Sequence, residues 1–340
     1  MKVPTIAVSL GCPSGVGPEV AVAGAAKVEG ARCVLVGDLA VIRRAAAIRR
    51  VAARRIVPVR SARELRVLPP GAIGAWTAST QVPALPAFGA PDAAAGAAQL
   101  AWIDEATDLV RSGVAAALVT GPVSKHAVAT SGAPGSARFL GHTEHLAERL
   151  GAPEVVMAFA SKDLVTALVT THLPLARVPD AITPQAVSTT TYWLARLLRS
   201  LGKKRPRVAV AALNPHAGEG GLLGDEEMTR IAPGIALARE RLSRDGVTAE
   251  IVGAIGAETA IRLAASGGYD GVVTMYHDQA TIPSKLLGFG EAVNVTLALP
   301  IVRTSVDHGT AYDRAGTGEA DARGMREAIG LAVRLVDGRR

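Results

Sequence analysis

Three histidines each follow an apolar stretch that is typical of a buried β-strand. They are His172 in VTALVTTH, His216 in RVAVAALNPH and His277 in GVVTMYH. One histidine in such a position is more often a structural hydrogen-bonding residue. Three in equivalent positions could bind one divalent metal ion, because neutral imidazoles are common metal ligands and three of them leave coordination positions open for a substrate. Both interpretations stay open on the sequence alone.

The rest of the chain predicts the elements that would position these histidines. Apolar runs such as TIAVSL (5–10) and VAAALVTG (114–121) alternate with runs of helical length, for example 92–111 and 183–201. This alternation is typical of an α/β fold with a mostly parallel sheet, in which ligands bind beyond the carboxyl ends of the strands. Polar clusters stand at several of those ends: TGPVSKH, THLP, NPHAGEGG and YHDQ.

The amino-acid composition indicates which kinds of ligand the protein could bind. The 340 residues are 49% hydrophobic but only 3% aromatic, so a nucleic-acid stacking platform is not expected. The net charge of +7 comes partly from VIRRAAAIRRVAARRIV (41–57), where the arginines have the spacing of a solvated helix face. We therefore expect no nucleic-acid partner, whereas a basic surface would attract small anionic substrates.

The sequence contains no clear signal for secretion or for membrane insertion. Its two cysteines, Cys12 and Cys33, have neither the pattern of a disulfide framework nor the spacing of a zinc site. A protein of the reducing cytoplasm is expected to have such cysteines. The start, MKVPTIAVSLGC, has too short an apolar run for a secretory signal. No stretch approaches about 18 uninterrupted apolar residues, so no membrane span is predicted.

The glycine-rich stretches do not match the standard nucleotide-binding motifs. In GCPSGVGPE (11–19) the glycines depart from the G-x-G-x-x-G spacing of a dinucleotide fold. NPHAGEGG is not followed by the Gly-Lys-Ser/Thr of a P-loop. Kinase and NTPase functions are therefore not supported.

Several blocks together resemble one enzyme family. From about residue 6 to residue 321 they are similar, in order and spacing, to 4-hydroxythreonine-4-phosphate dehydrogenases. The blocks that carry the resemblance are TGPVSK, GHTEHLAE, TTHLP, LNPHAGEGG, MYHDQ, GFGEAVNVTLALPIVRTSVDHGTA and AGTGEAD.

The resemblance implies roles for individual residues. It makes His172, His216 and His277 the ligands of one divalent metal ion, with Zn, Mg and Co all open. The implied substrate contacts are His142, Thr143, Lys285, Asn294 and Arg303. The implied contacts of NAD, with NADP also open, are Asp307, His308, Gly309, Thr310 and Ala311. Lys285 and Asp278 are the candidates for the catalytic proton acceptor.

The resemblance also implies an architecture. The family is similar in fold to isocitrate and isopropylmalate dehydrogenases, a three-layer α/β fold of two lobes with a mostly parallel sheet and a cleft between the lobes. Residues 1–130 with 305–340 are expected to form the cofactor lobe, and 131–304 the lobe with the metal, substrate and dimer contacts. The family's active site lies between the subunits of a homodimer. After His277, a loop is expected to bring Lys285 back toward the substrate.

The implied activity is the oxidation of the secondary alcohol of 4-phosphohydroxy-L-threonine by NAD, followed by loss of CO2. QATIPSKLLGF is closer to paralogues acting on 4-phospho-D-threonate or 4-phospho-D-erythronate, which therefore stay open as substrates. A dehydrogenase of aromatic cis-dihydrodiol carboxylates is a further alternative. A non-catalytic ligand-binding protein on the same fold is the remaining one.

Overall fold

The structure is a computed structural model that describes residues 3–288 and 290–338. The chain divides into two compact units. The first comprises Met1–Gly151 and Leu299–Val336, and the second comprises Ala152–Ala298 and Asp337–Arg340. Each unit has a sheet flanked by helices, so the predicted α/β class is confirmed.

The elements follow one another in the alternating order that the sequence indicates. In the amino-terminal part of the first unit the strands are β1 Thr5–Ser9, β2 Arg32–Gly37, β3 Ile56–Val59, β4 Ile73–Thr77 and β5 Ala117–Thr120. The helices there are α1 Gly17–Ala25, α2 Leu39–Ile48, α3 Ala62–Arg66, α4 Ala93–Arg111, α5 Lys125–Ala129 and α6 His142–Leu150.

Strands and helices also alternate in the second unit. Its strands are β6 Val156–Ala160, β7 Val165–Leu168, β8 Arg207–Ala211, β9 Glu250–Ile255, β10 Gly271–Thr274 and β11 Val293–Leu297. Its helices are α7 Val178–Ala181, α8 Pro184–Ser200, α9 Ala232–Arg244, α10 Ala257–Ala265 and α11 His277–Leu287. The chain then adds β12 Arg303–Val306 and α12 Arg323–Gly338.

The first unit's sheet has the order β3-β4-β2-β1-β5-β12, and its pairings are parallel. Strands covered on both faces are expected to be continuously apolar, and β1, β2 and β5 are almost entirely buried. Helix α4 contributes Trp102, a large and fully buried side chain, to this core. The indole donates its Nε1–H to the carbonyl of Thr80 at 2.9 Å.

The second unit's sheet has the order β11-β6-β7-β10-β8-β9. Strands β7, β10, β8 and β9 are parallel, whereas β6 is antiparallel to both of its neighbours. The parallel part places the carboxyl ends of β7, β8 and β10 at one edge of this sheet. Those are the three strands that precede the three histidines.

The two helices predicted at 92–111 and 183–201 are present as α4 and α8. Asp92 and Thr183 cap them, each accepting a backbone N–H with its side chain. The expected loop after His277 is instead helix α11, which contains Pro283. Thr143 lies inside α6, whose first residue is His142.

The first compact unit extends to Gly151 because α6 is tied to α4. His145 Nε2 lies 2.6 Å from Asp104 Oδ1, and Arg149 forms ion pairs with Asp104 and Asp108. The compact unit resumes at Leu299. The functional lobes predicted with boundaries at 130 and 305 stay a prediction.

Within residues 3–288 and 290–338, none of the helices has both the length and the apolar character needed to cross a lipid bilayer.

Two helical glycines give a test of the packing. A Cβ at Gly96 of α4 would overlap the carbonyl oxygen of Ala127, whereas a Cβ at Gly330 of α12 would meet nothing within 4 Å. We expect Gly96→Ala to lower the free energy of unfolding by about 2 kcal/mol, the usual effect of overpacking. The control, Gly330→Ala, should raise it by about 0.5–1 kcal/mol through helix propensity. Urea unfolding of both variants measures this, and a Gly96→Ala protein as stable as the wild type would contradict the packing.

Candidate functional site

The ends of β7 and β10 are joined beyond the sheet. Val169 donates its N–H to the carbonyl of Thr274 at 2.9 Å, and Thr170 donates to the carbonyl of Met275 with both its N–H (3.1 Å) and its hydroxyl (2.8 Å). These bonds continue the parallel pairing to the residues just before His172 and His277. The two imidazole rings consequently lie side by side, with centroids 5.6 Å apart and planes tilted by 42°.

His277 is oriented by its neighbours. Its Nδ1 lies 2.7 Å from Asp278 Oδ1, with the hydroxyl of Thr281 at 3.5 Å. A hydrogen bond from Nδ1–H to a carboxylate leaves Nε2 as the lone-pair atom, which is the usual arrangement of a histidine that binds a metal. The structure therefore places Asp278, a predicted proton acceptor, where it can orient the ring.

Gln279 connects this pair to the end of β8. Its Oε1 accepts the N–H of Met275 at 2.7 Å, and its Nε2 donates to the carbonyl of Ala212 at 2.9 Å. Ala212 begins the segment that leads to His216. The amide thus fixes the start of α11 relative to that segment, a role that was not predicted for Gln279.

His216 lies on a loop of left-handed backbone. The residue is exposed and has φ of 51°. Among the described residues, no group of three or more His, Cys, Asp or Glu side chains is close enough to hold a metal ion within one chain. The single chain therefore brings together His172 and His277, and the participation of His216 stays a prediction.

The first unit contains a separate polar cluster around Arg303, the first residue of β12. Arg303 is only 3% exposed and donates to the hydroxyl of Thr120 at 2.6 Å. Burial lowers the pKa of its guanidinium to about 10, against the opposing effect of Glu144. A buried cation of this kind is suited to binding an anionic group.

His142 adds a neutral imidazole to this cluster. Burial, and then the positive charges of Arg303, His145 and Lys125, hold the pKa of His142 well below its ordinary value. Its Nε2 is buried and has no hydrogen-bond partner. Such an atom is costly to bury unless a ligand completes its hydrogen bonding. Lys125 also belongs to this cluster, although it was not predicted as a site residue. Its charge is one of those that lower the pKa of His142. Its Nζ would lie 3.5 Å from a Cβ placed on Gly141, the residue before His142.

The segment predicted to bind NAD is anchored from the inside of the first unit. Val16 donates its N–H to the carbonyl of Thr310 at 2.9 Å, and a Cβ at Gly15 would lie 2.7 Å from that oxygen. The buried carboxylate of Glu19 accepts the N–H of Gly316 at 2.7 Å. On the outer side, His308, Gly309 and Ala311 are exposed. The backbone there is both fixed and accessible.

The remaining predicted residues lie on the second unit. Lys285 is exposed on α11, two turns beyond His277 and one turn beyond Thr281. Asn294 is half-buried on β11, opposite Phe159 of β6. Thr143, in the first unit, is half-buried on α6. Asp307 and Thr310 are likewise half-buried in the segment after β12.

Comparison with known proteins gives one consistent result. The sequence model of a family described as pyridoxal phosphate biosynthetic protein PdxA matches residues 29–332. A 4-hydroxythreonine-4-phosphate dehydrogenase of Geobacter metallireducens is 43% identical, over 98% of this chain and 95% of its own length. The crystal structure of such a dehydrogenase from Klebsiella pneumoniae is 35% identical with a TM-score of 0.82, covering 98% of this chain and 99% of that one.

A second kind of enzyme is also similar. The structure of a terephthalate 1,2-cis-dihydrodiol dehydrogenase from Burkholderia xenovorans is 30% identical with a TM-score of 0.68. The match covers 97% of this chain and 98% of that one.

The lowered pKa of His142 predicts a pH effect on stability. Because the folded chain disfavours the charged ring, the unfolded state binds more protons below about pH 6.5, and the free energy of unfolding falls as the pH is lowered from 7.5 to 5.5. His142→Asn should reduce this loss by on the order of 1 kcal/mol. Urea unfolding at both pH values measures it, with His126→Asn on the exposed side of α5 as the control. Equal losses in wild type and His142→Asn would contradict the buried neutral ring.

Proposed function

Because the chain belongs to the PdxA family, we propose that it is an NAD-dependent, divalent-metal-dependent dehydrogenase of 4-phosphohydroxy-L-threonine. The enzyme oxidises the secondary alcohol of this substrate to a 3-keto acid, which then loses CO2. The observation that carries the proposal is similarity over nearly the whole chain to enzymes of this name, which includes the histidine-bearing strand ends. A cytoplasmic location, predicted because the two cysteines lack disulfide-framework and zinc-site spacing, is part of the proposal. Both cysteines are free and buried, which is compatible with it.

The cluster around Arg303 is proposed to bind an anionic group of the substrate. Arg303 offers a fixed guanidinium fork, and His142 offers an Nε2 atom that has no protein partner. Thr143 contributes a hydroxyl from the first turn of α6. Lys285 and Asn294 of the second unit are proposed as further substrate contacts on the strength of the family motif alone.

The paired imidazoles fit two ligand positions of a divalent metal ion. Neutral nitrogen donors suit zinc or cobalt, and the native metal stays open among these and magnesium. When bound, the cation would lower the pKa of the substrate hydroxyl and stabilise the oxyanion that forms as hydride leaves. His172 and His277 would hold the ion, and Asp278 would keep the His277 ring in its binding tautomer.

The third ligand, His216, is proposed to come from a second copy of the chain. Within one chain the three predicted ligands do not form a group. Exposed leucines accompany each ligand in sequence: Leu175 is 70% exposed, Leu222 80% and Leu286 80%. Apolar side chains this exposed commonly mark a protein interface. A homodimer would cover them and complete the ligand set.

The segment Asp307–Ala311 is proposed to bind NAD. Its accessible outer backbone, with no atom within 4 Å of a Cβ at Gly309, leaves room for close approach of a ligand. Whether NADP is also accepted stays open. The proton acceptor stays open between Lys285 and Asp278. The hydrogen bond that the Asp278 carboxylate accepts from His277 Nδ1–H favours Lys285, because it commits that carboxylate to the ring.

The similarity to the Burkholderia xenovorans enzyme supports one other candidate, the oxidation of an aromatic cis-dihydrodiol carboxylate. Both reactions need a metal-activated alcohol and NAD, but only the first needs a phosphate site. The buried Arg303 can bind either a phosphate or a carboxylate. The substrate therefore has to be decided by assay.

The purified enzyme should reduce NAD in the presence of 4-phosphohydroxy-L-threonine and a divalent metal ion. The same absorbance assay at 340 nm is run with 4-phospho-D-threonate, 4-phospho-D-erythronate and a cis-dihydrodiol of terephthalate. The substrate with the highest kcat/KM identifies the reaction. Reduction with none of them, despite binding of NAD, would favour a non-catalytic ligand-binding protein.

Single substitutions of His216 or His277 by alanine should each abolish turnover and weaken binding of the metal. Mixing unfolded His216→Ala and His277→Ala chains and refolding them together should restore up to about a quarter of the activity, since half of the dimers are mixed and each has one complete site. The matched control mixes His172→Ala with His277→Ala. These two ligands come from the same chain, so no activity should return.

Activity that returns only in the control mixture would contradict the assignment of His172 and His277 to one chain. No return in either mixture, with dimers present by light scattering, would contradict a metal site shared between subunits.

A further inference from the structure

We propose that Glu227 is a positioning residue that holds the His216 loop in the conformation required of a metal ligand. The inference rests on the proposed function, because it takes His216 to be a ligand. Glu227 does not touch the metal or the substrate in this proposal. It acts through the backbone that presents the imidazole.

The His216 loop, residues 215–221 after β8, has an unfavourable backbone. The five residues from His216 to Gly220 have positive φ values of 51°, 55°, 78°, 43° and 66°. Glycine adopts this left-handed region freely, but His216, Ala217 and Glu219 are disfavoured there by about 1–2 kcal/mol each. A run of this kind persists only where surrounding contacts enforce it.

The loop's own packing is too sparse to enforce it. Pro215, His216, Glu219 and Gly220 are exposed, and Gly218 is the buried member of the segment. Few side-chain contacts therefore restrain the dihedral angles. The restraint has to come from hydrogen bonds at the ends of the loop.

Glu227 accepts hydrogen bonds from the residues that lead into the loop. Its side chain is only 5% exposed, and its Oε1 accepts the N–H groups of Leu213 and Asn214, both at 2.8 Å. Its Oε2 accepts Asn214 Nδ2–H at 3.0 Å. A single carboxylate thus receives the two backbone donors that immediately precede the loop. Hydrogen bonds to a charged acceptor are stronger than those between neutral groups.

The same carboxylate explains the glycine in the middle of the loop. A Cβ at Gly218 would lie 2.8 Å from Glu227 Oε2 and 2.6 Å from the carbonyl oxygen of Gly224. The left-handed turn therefore lies directly on the carboxylate, with no side chain between them. Glu227 contacts the loop both at its start and at its centre.

The neighbouring acid has a different position. Glu226 is partly exposed and accepts the side-chain amide of Asn214 at 2.7 Å, besides backbone N–H groups of its own turn. Among the described residues it makes no bond to the backbone of the His216 loop. Glu226→Gln is therefore a matched control, since it changes the same charge one residue away and leaves the backbone donors satisfied.

The test uses the isosteric substitution Glu227→Gln, which keeps the shape but removes the negative charge that the two backbone N–H groups bind, and puts an NH2 donor against the Asn214 Nδ2–H donor. Full-length protein is titrated with Co2+, and binding is followed by its visible absorption. We expect the dissociation constant for Co2+ to rise about 10–100-fold, the usual effect of removing a residue that supports a ligand. Glu226→Gln should stay within about twofold of the wild type. Circular dichroism of the metal-free proteins checks that each variant is folded.

A double-mutant comparison separates positioning from a general loss of structure. In a His216→Ala background, Glu227→Gln should leave the remaining Co2+ affinity unchanged, because the ligand through which it acts is gone. An equal loss in both backgrounds would overturn the proposal. So would a wild-type Co2+ affinity for Glu227→Gln when His216→Ala alone weakens binding. If His216→Ala itself binds Co2+ as the wild type does, the proposed ligand set fails, and this outcome is distinct from the other two.

Discussion

The hydrogen bonds between the ends of β7 and β10 are the constraint on which the second unit's chemistry depends. Thr170 binds the Met275 carbonyl with both its N–H and its hydroxyl, so the two strand ends cannot separate without exposing buried polar groups. His172 and His277 follow within two residues of these bonds. Their rings are consequently preorganised as a pair before any ligand binds, which reduces the ordering required on binding.

The cluster around Arg303 and the His172–His277 pair would attract their ligands by different physical effects. Around Arg303 the low polarity of the interior leaves a buried cation beside an imidazole whose pKa is depressed, so an entering anion meets strong, unscreened interactions. The histidines of the second unit are more exposed, and their proposed role as metal ligands depends on geometry. Arg303 begins β12, and His172 and His277 follow the ends of β7 and β10, so rigid strands of a mostly parallel sheet help to fix both clusters.

Stored backbone strain and its restraint occur together at the His216 loop. Three non-glycine residues adopt left-handed backbone, and the buried Glu227 carboxylate accepts the donors that lead into it. Glu19 performs a comparable task in the first unit, where it accepts the backbone N–H of Gly316, which follows the segment proposed to bind NAD. In both units a buried acid therefore holds backbone close to exposed residues for which a function is proposed. Neither acid has a sequence pattern that would identify this task, because hydrogen bonds to backbone depend on the fold rather than on local spacing.

The sequence by itself determined the α/β class, the helices that begin at Asp92 and Thr183, and the histidines at the ends of apolar strands, because these follow from local periodicity and side-chain chemistry. Its family motifs also pointed to His142, Arg303, His172 and His277, but not to Lys125. Tertiary structure decided which of them meet. His172 and His277 are neighbours because β7 lies beside β10, although 105 residues separate Thr170 from Met275. Arg303 reaches Thr120 across 183 residues. Gln279 of α11 reaches the carbonyl of Ala212 across 67 residues, in a helix that stands where the family resemblance implied a loop. Strand order and such long-range bonds arise from how the whole chain packs, and no local pattern encodes them.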